Sequence, residues 1–384
     1  MKIGLVTFYY AHHYGAQLQA YALMRSIEKS GAHCDIIDYV RPDTLEASKV
    51  FQKITSLRGV LRSAHSLLHY PSLKRRYDRF TSFIHDHMQL GTEVYRTPES
   101  LVKTPPVYDM FICGSDQIWN PAIYPGNTFD PTFFMTFTHA PKVSYAPSFG
   151  ISSIPAENQD ELRNYLSQFQ SLSVREYEGA AIIKSLIDKD AAVVLDPTLL
   201  LTSEEWDALT NDSSIDEPYM LCYFVTLTQS YIDHILEIKK TTGLKAIWLC
   251  GNRKGPNGFD KILDAGPSEF LTLFKHASFV CTNSFHGTVF SVIFGREFVC
   301  FSNHYQYDSI EAGSNMLNSR VFTLLDKLGL ADRLIPLNIQ VSIKEVIDAF
   351  KPLNYESVLI GLEEERKASL AFLKEAIKSP TISQ

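Results

Sequence analysis

Residues 281–295, C-T-N-S-F-H-G-T-V-F-S-V-I-F-G, constrain the fold of this chain more than any other stretch. They continue an apolar, β-rich run that starts at Ser278, so the segment opens as a buried strand. Asn283 and Ser284 then offer side-chain oxygens to cap a helix, and residues 286–294 are almost wholly apolar. Gly295 supplies the stop, and residues 297–301, E-F-V-C-F, read as a second buried strand. Strand, tight polar turn, buried helix and strand make one βαβ unit, whose two strands must run parallel. Between Thr282 and Arg296 the one ionisable side chain is His286, and it falls at the strand-to-helix turn. In an open parallel sheet that turn faces the ligand crevice, and a helix N-terminus there favours an anion. His286 is therefore the first candidate for chemistry.

The same rhythm opens the chain. Residues 3–8 read as a strand, a loop runs to Gly15, and Ala16, Ala20, Leu23, Met24 and Ile27 recur at helical spacing before a strand at 34–40. A chain of 384 residues built this way is expected to be α/β, with two Rossmann-like domains facing a cleft. Further strands are expected at 108–113, 142–146, 171–174 and 192–196. After the polar, proline-terminated stretch 211–218 they resume at 219–225, 245–249, 278–282 and 297–301. The expected division is an N-terminal domain over 1–205, carrying a basic helical insertion at about 45–100, and a C-terminal domain over 216–350. A helix over 355–378 is expected to return to the first domain.

Residues 51–80 hold Lys53, Arg58, Arg62, Lys74, Arg75, Arg76 and Arg79 against a single acid, Asp78, with Leu57, Leu61, Leu67, Leu68 and Leu73 interleaved. Such a helical hairpin either presents a solvated face or meets an anionic surface, as in peripheral membrane contact. The net charge of −7 argues against broad nucleic-acid binding. Six cysteines without a C-x-x-C pair, mostly inside apolar runs, suggest reduced buried thiols and a cytoplasmic setting. Met1 and Lys2 lead straight into a strand, so no signal peptide is expected, and no apolar run is long enough to cross a bilayer.

Common cofactor and hydrolase signatures (G-x-G-x-x-G, Walker loop, G-x-S-x-G, H-E-x-x-H) are absent. Asp188-Lys-Asp190 precedes a strand and so should be a solvated loop at the far edge of the sheet. His12-His13 and His85-x-His87 lack a third ligand at useful spacing, so no metal and no cofactor is expected.

A set of motifs is more specific in combination. In order they are Y-x-x-x-x-G-A-Q-L-Q-A-Y-A-L at 10–23, D-M-F-I-C-G-S-D-Q-I-W-N at 109–120, L-S-V-R-E at 172–176, V-L-D-P-T at 194–198, G-P-S-E-F at 266–270 and T-N-S-F-H-G-T at 282–288. Together they resemble the polysaccharide pyruvyl transferase family over roughly residues 1–330. The resemblance implies a fold similar to the two-domain glycosyltransferase-B architecture. It also implies transfer of the enolpyruvyl carbons of phosphoenolpyruvate, as co-substrate, onto two hydroxyls of a sugar during cell-surface polysaccharide synthesis, with release of phosphate. The family's Ser-Arg-Leu-His element binds the donor; His286 matches its histidine, while Ser284 and Phe285 stand where its arginine and leucine would be. Arg175 matches the arginine of the family's S-V-R element.

That chemistry needs a proton for the methylene carbon, a base for the attacking hydroxyl and positive charge for the leaving phosphate. His286 would be the acid or phosphate donor, Arg175 the charge clamp and Asp116 the base or sugar ligand. The Gly287 and Thr288 amides at the helix start would hold anionic oxygen, beside Asn283 and Ser284. Asn252, Arg253 and Lys254, in the loop 251–255, would make up for the missing arginine, whereas Arg296 should lie at the far edge. Gly15, Gln17, Gly114 and Ser115 complete the expected substrate contacts. The acceptor would be a nucleotide- or lipid-linked sugar, and a lipid-linked one would place the protein at the inner face of the membrane. The rival readings are a glycosyltransferase of the same architecture using a nucleotide sugar and a non-catalytic saccharide-binding or assembly protein.

Overall fold

The computed structural model describes residues 1–51, 66–211, 215–250, 255–302, 319–336, 342, 343, 345, 347 and 352–378. Five parallel strands form the first sheet: β1 (Lys2–Val6), β2 (His33–Tyr39), β3 (Leu90–Tyr95), β4 (Met110–Cys113) and β5 (Lys142–Ser144), in the order β3-β2-β1-β4-β5. A two-stranded pair, β6 (Ser173–Val174) and β7 (Ala192–Val193), lies beside β5, where Val143 bridges Ser171. The second sheet is also parallel: β8 (Tyr219–Tyr223), β9 (Lys245–Leu249), β10 (Asp260–Ile262), β11 (Phe279–Thr282), β12 (Glu297–Phe301) and β13 (Leu334–Ile335), in the order β10-β9-β8-β11-β12-β13. Central strands such as β4 (M-F-I-C) and β11 (F-V-C-T) are buried along their whole length, which is why they read as unbroken apolar runs.

Both sheets are doubly wound, so each has one point where the chain order reverses and the loops part to leave a crevice. In the first sheet that point lies between β1 and β4, and in the second between β8 and β11. The loops leaving these four strands at 7–13, 114–120, 224–228 and 283–284 are therefore the ones a site can be built from. The helix Phe285–Ile293 follows β11 directly and is capped by Ser284, whose Oγ accepts from the Gly287 amide at 3.3 Å.

The stretch 45–100 is not a purely helical excursion. It contains β3, an edge strand whose sequence L-G-T-E-V-Y has too little apolar alternation to stand out. It also contains the helix Tyr70–His87, on which Lys74 and Arg75 stay exposed while Arg79 is half-buried and Arg76 buried. Arg76 is buried, with its guanidinium 4.8 Å from the Phe80 ring centroid and donating to the His12 carbonyl at 3.1 Å. Arg75 donates to Asp264 at 3.0 Å, and Arg79 donates to the Asp264 carbonyl at 2.7 Å and pairs with Glu269 at 3.1 Å. These contacts dock the helix on the second half of the chain. Lys53, Arg58 and Arg62 lie outside the described residues.

The last helix, Tyr355–Lys378, starts against the second sheet and ends against the first half. The Tyr355 hydroxyl donates to the Arg296 carbonyl, while Arg366 donates to the Leu199 carbonyl at 2.8 Å and Ser369 Oγ accepts from the Leu195 amide at 3.0 Å. One apolar cluster runs through both halves. Tyr14 stacks on Phe270 with ring centroids 4.6 Å apart, and the buried Trp206 meets Phe290 edge-on at 5.2 Å. Among the described residues no helix is long and apolar enough to cross a membrane.

Candidate functional site

The two reversal points face each other across a cavity of about 300 Å³. From the first half it is lined by Phe8, His13, Ala16, Asp116 and Gln117, and from the second by Val225, Thr226, Asn283, Ser284, Phe285, His286 and Arg320. His286 is the hinge of this arrangement. It sits in the first turn of its helix, only 4% exposed, and its ring presses on the helix Tyr14–Lys29 of the other half. A Cβ at Gly15 would stand 2.0 Å from His286 Nδ1, so only glycine lets the ring lie there. Among the described residues Nε2 has no hydrogen bond, and Asp196 Oδ1 lies 3.8 Å from it.

Behind the ring lies a buried charge cluster. Arg175 donates to Asp196 at 2.6 Å and approaches Asp116 at 3.5 Å, and its guanidinium lies 4.5 Å from the centroid of the Phe285 ring. Asp196 is further held by the Thr198 amide at 3.0 Å, the Thr198 hydroxyl at 2.6 Å and the Ser115 hydroxyl at 3.2 Å. Burial alone would push the Asp116 carboxyl up, but Arg175, His286, His13 and Arg320 outweigh it and hold it at about 2. Asp196 is lowered too: His286, Arg175 and the Thr198 hydrogen bonds overcome its burial. Burial pulls His286 down to about 4 although Asp196 and Asp116 favour its charged form. At neutral pH the site thus holds the Asp116 and Asp196 carboxylates and the Arg175 and Arg320 guanidiniums, with the His286 and His13 imidazoles both shifted toward their neutral form.

The expected site residues divide into three groups. His286, Arg175, Asp116 and Gly15 converge at or directly behind the cavity, and Asn283 and Ser284 line it. Gly114, Ser115, Gln17, Gly287 and Thr288 are buried and do not line it. Ser115 donates from its hydroxyl to the Ala146 carbonyl at 2.8 Å and from its amide to Gln19 at 3.0 Å, so it braces Asp196 rather than meeting a substrate. The Gly287 amide is taken by Ser284 Oγ and the Thr288 amide by the Ser284 carbonyl at 3.0 Å, so neither is left for an anion. A Cβ at Gly287 would come 2.3 Å from Thr282 Oγ1, which makes that glycine a packing requirement. The first-turn amides left without a partner among the described residues are those of Phe285 and His286. Asn283 spends its amide on the facing loop, accepting from the Val225 amide at 2.9 Å and donating to the Thr226 carbonyl at 2.9 Å. The third group, Asn252, Arg253 and Lys254, lies outside the described residues. Arg296, at the start of β12, donates to the Phe294 carbonyl at 2.7 Å and does not line the cavity.

Three site residues escaped the sequence reading. Asp196 stood inside the V-L-D-P-T motif, where an aspartate ahead of Pro-Thr signals only a cap; its second carboxylate oxygen does the rest. His13 caps the helix Tyr14–Lys29 through Nδ1, and its ring centroid is 6.4 Å from that of His286. Arg320 belongs to the helix Ser319–Lys327, in a stretch without any local motif. Chemically, the arrangement can receive a small anion: Phe285, His286 and Arg320 line the cavity, and among the described residues the imidazole Nε2 and the Phe285 and His286 amides have no hydrogen-bond partner.

A family model described as polysaccharide pyruvyl transferase matches residues 13–305 of the chain. A comparison with curated proteins finds no match. Among solved structures, UDP-N-acetylglucosamine 2-epimerase from Rickettsia bellii is similar with a TM-score of 0.55 and 7% identity, over 100% of this chain and 97% of that one. UDP-GlcNAc 2-epimerase from Methanocaldococcus jannaschii, in complex with UDP-GlcNAc and UDP, gives a TM-score of 0.49 and 12% identity over 99% and 100%. At 7% identity the likeness to the Rickettsia bellii structure concerns the fold alone, which with its two doubly wound parallel sheets is the two-domain glycosyltransferase-B architecture.

Proposed function

The chain belongs to the polysaccharide pyruvyl transferase family, a family of transferases, and from that premise we propose that it moves the enolpyruvyl group of phosphoenolpyruvate onto a sugar. The acceptor is a nucleotide- or lipid-linked sugar of a cell-surface polysaccharide, met in the cytoplasm, and for a lipid-linked one at the inner face of the membrane. One observation carries this reading. The cavity between the two halves is lined by Arg320, which has no ion pair among the described residues, beside a buried histidine whose Nε2 finds no hydrogen bond among them.

The chemistry runs as follows. A proton joins the methylene carbon of the donor and leaves an oxocarbenium-like centre at the neighbouring carbon. One sugar hydroxyl attacks that centre, phosphate leaves, and a second hydroxyl closes the cyclic ketal. Of the two hydroxyl protons, one balances the new methyl group and the other leaves on the phosphate. His286 supplies the first proton: held neutral by burial, it regains a proton when an anionic donor settles beside the ring. Asp116 takes the hydroxyl proton. A weak base suffices there, because a hydroxyl bonding to a cationic carbon turns strongly acidic. Arg175, pinned by Asp196, holds Asp116 and the Phe285 ring in place. The free Phe285 and His286 amides receive anionic oxygen of the donor.

His286→Ala tests the assignment. Incubated with phosphoenolpyruvate and candidate sugar acceptors, the variant should release no acceptor-dependent inorganic phosphate while its circular dichroism matches the wild type. Full retained release would remove His286 from the mechanism.

A further inference from the structure

Arg175 and Arg320 are both deeply buried beside the cavity, yet their surroundings differ in kind. Arg175 is 3% exposed and already neutralised, with Asp196 at 2.6 Å and Asp116 at 3.5 Å. Arg320 is 8% exposed, lines the cavity, and has no ion pair and no hydrogen bond from Nε among the described residues. Its close polar neighbour is uncharged: the Gln117 amide, turned so that its oxygen faces the guanidinium, lies 3.2 and 3.3 Å from the terminal nitrogens. A guanidinium kept out of water with carboxylates nearby but none in ion-pair contact is costly, and it persists where a ligand supplies the contacting anion.

Resting on the phosphoenolpyruvate reading, we propose that Arg320 is a donor-binding residue that forms the ion pair with an oxyanion of the ligand, its carboxylate or its phosphoryl group. Three observations support it. The helix Ser319–Lys327 carries Arg320 to the same cavity that Phe285 and His286 line, so the three converge on one ligand space. The place at 284 is taken by a serine whose hydroxyl is committed to capping Gly287, so no cation enters from that turn. Burial and the neighbouring Arg175 charge, against Glu176, Asp116 and Asp196, pull the Arg320 guanidinium down to about 10, as befits a cation lacking its partner. Arg320 also lies beyond the residues 13–305 matched by the family model.

The test is calorimetric titration of the full chain and of Arg320→Gln and Arg320→Lys with phosphoenolpyruvate, inorganic phosphate, pyruvate and UDP, together with the thermal midpoint of each protein without ligand. Arg320→Gln should weaken phosphoenolpyruvate binding roughly 30-fold or more, with Arg320→Lys in between. Its ligand-free midpoint should be unchanged or higher, because an unpaired buried cation has gone; a merely structural arginine would lower it. Loss of phosphate binding in the variant assigns Arg320 to the phosphoryl end of the donor, and loss of pyruvate binding assigns it to the carboxylate. Wild-type affinity of Arg320→Gln for phosphoenolpyruvate, or a lowered midpoint with affinity unchanged, overturns the proposal and leaves the donor reading standing. A wild-type protein that binds UDP and not phosphoenolpyruvate overturns the donor reading, and with it Arg320 as a donor-binding residue.

Discussion

Gly15 and His286 show how much of this site depends on single side chains from opposite halves of the chain. The imidazole can occupy its place only because position 15 has no Cβ; one added carbon would stand 2.0 Å from Nδ1. Gly15→Ala should therefore leave the helix Tyr14–Lys29 formed, since alanine favours helices, but push the ring off its position. A displacement near 1 Å is worth about 100-fold in rate, so steady-state turnover should drop by about that factor with little change in unfolding midpoint. A variant of wild-type activity would mean that the ring tolerates the shift. The histidine itself was legible in the sequence, as a lone ionisable residue at a strand-to-helix turn. Its contact with Gly15 was not, because the two are 271 positions apart (286 − 15) and only packing joins them. The same holds for Arg320, which no spacing relates to His286. Gly287 misled in the opposite sense: a glycine after a histidine at a helix start suggests ligand approach, but here it admits the Thr282 side chain.

At the scale of elements, strands and helices with strong periodicity were readable, and the basic stretch was not. The helix expected over 355–378 has those bounds, and β9, β11 and β12 lie where apolar runs put them. The charge of residues 51–80 pointed outward because a sequence shows which residues are basic but not which acids face them. Asp264 and Glu269, nearly 190 positions later, are the partners of Arg75 and Arg79. Since Arg79 is about one-third exposed, its pair is partly screened, and Arg79→Ala should cost no more than about 1 kcal/mol in denaturant unfolding. The same variant should co-sediment with anionic vesicles no differently from the wild type, because this arginine already has its carboxylate. A marked loss of vesicle binding would return the helix Tyr70–His87 to the surface role.

On the scale of the whole molecule, two parallel sheets of doubly wound order bring their reversal points to one cavity. Strand-helix alternation announced both sheets, and the rule that ligands sit at such reversal points told which loops mattered. What the alternation could not convey is the joint between the halves: Tyr14 on Phe270, Trp206 on Phe290 and the last helix bound to both. These contacts hold Asp116 and His286, which arrive from different sheets, in one fixed relation, as a two-sided site requires. A ligand that fits between them stabilises the folded chain in proportion to its occupancy. The most direct measurement is the thermal midpoint of the intact protein against increasing phosphoenolpyruvate, repeated with UDP-N-acetylglucosamine. The account predicts a midpoint that climbs with phosphoenolpyruvate, reaching about 2.7 kcal/mol of added stability at 100 times the dissociation constant, whether or not the nucleotide sugar also binds as acceptor. A midpoint that ignores phosphoenolpyruvate and rises with UDP-N-acetylglucosamine would contradict it.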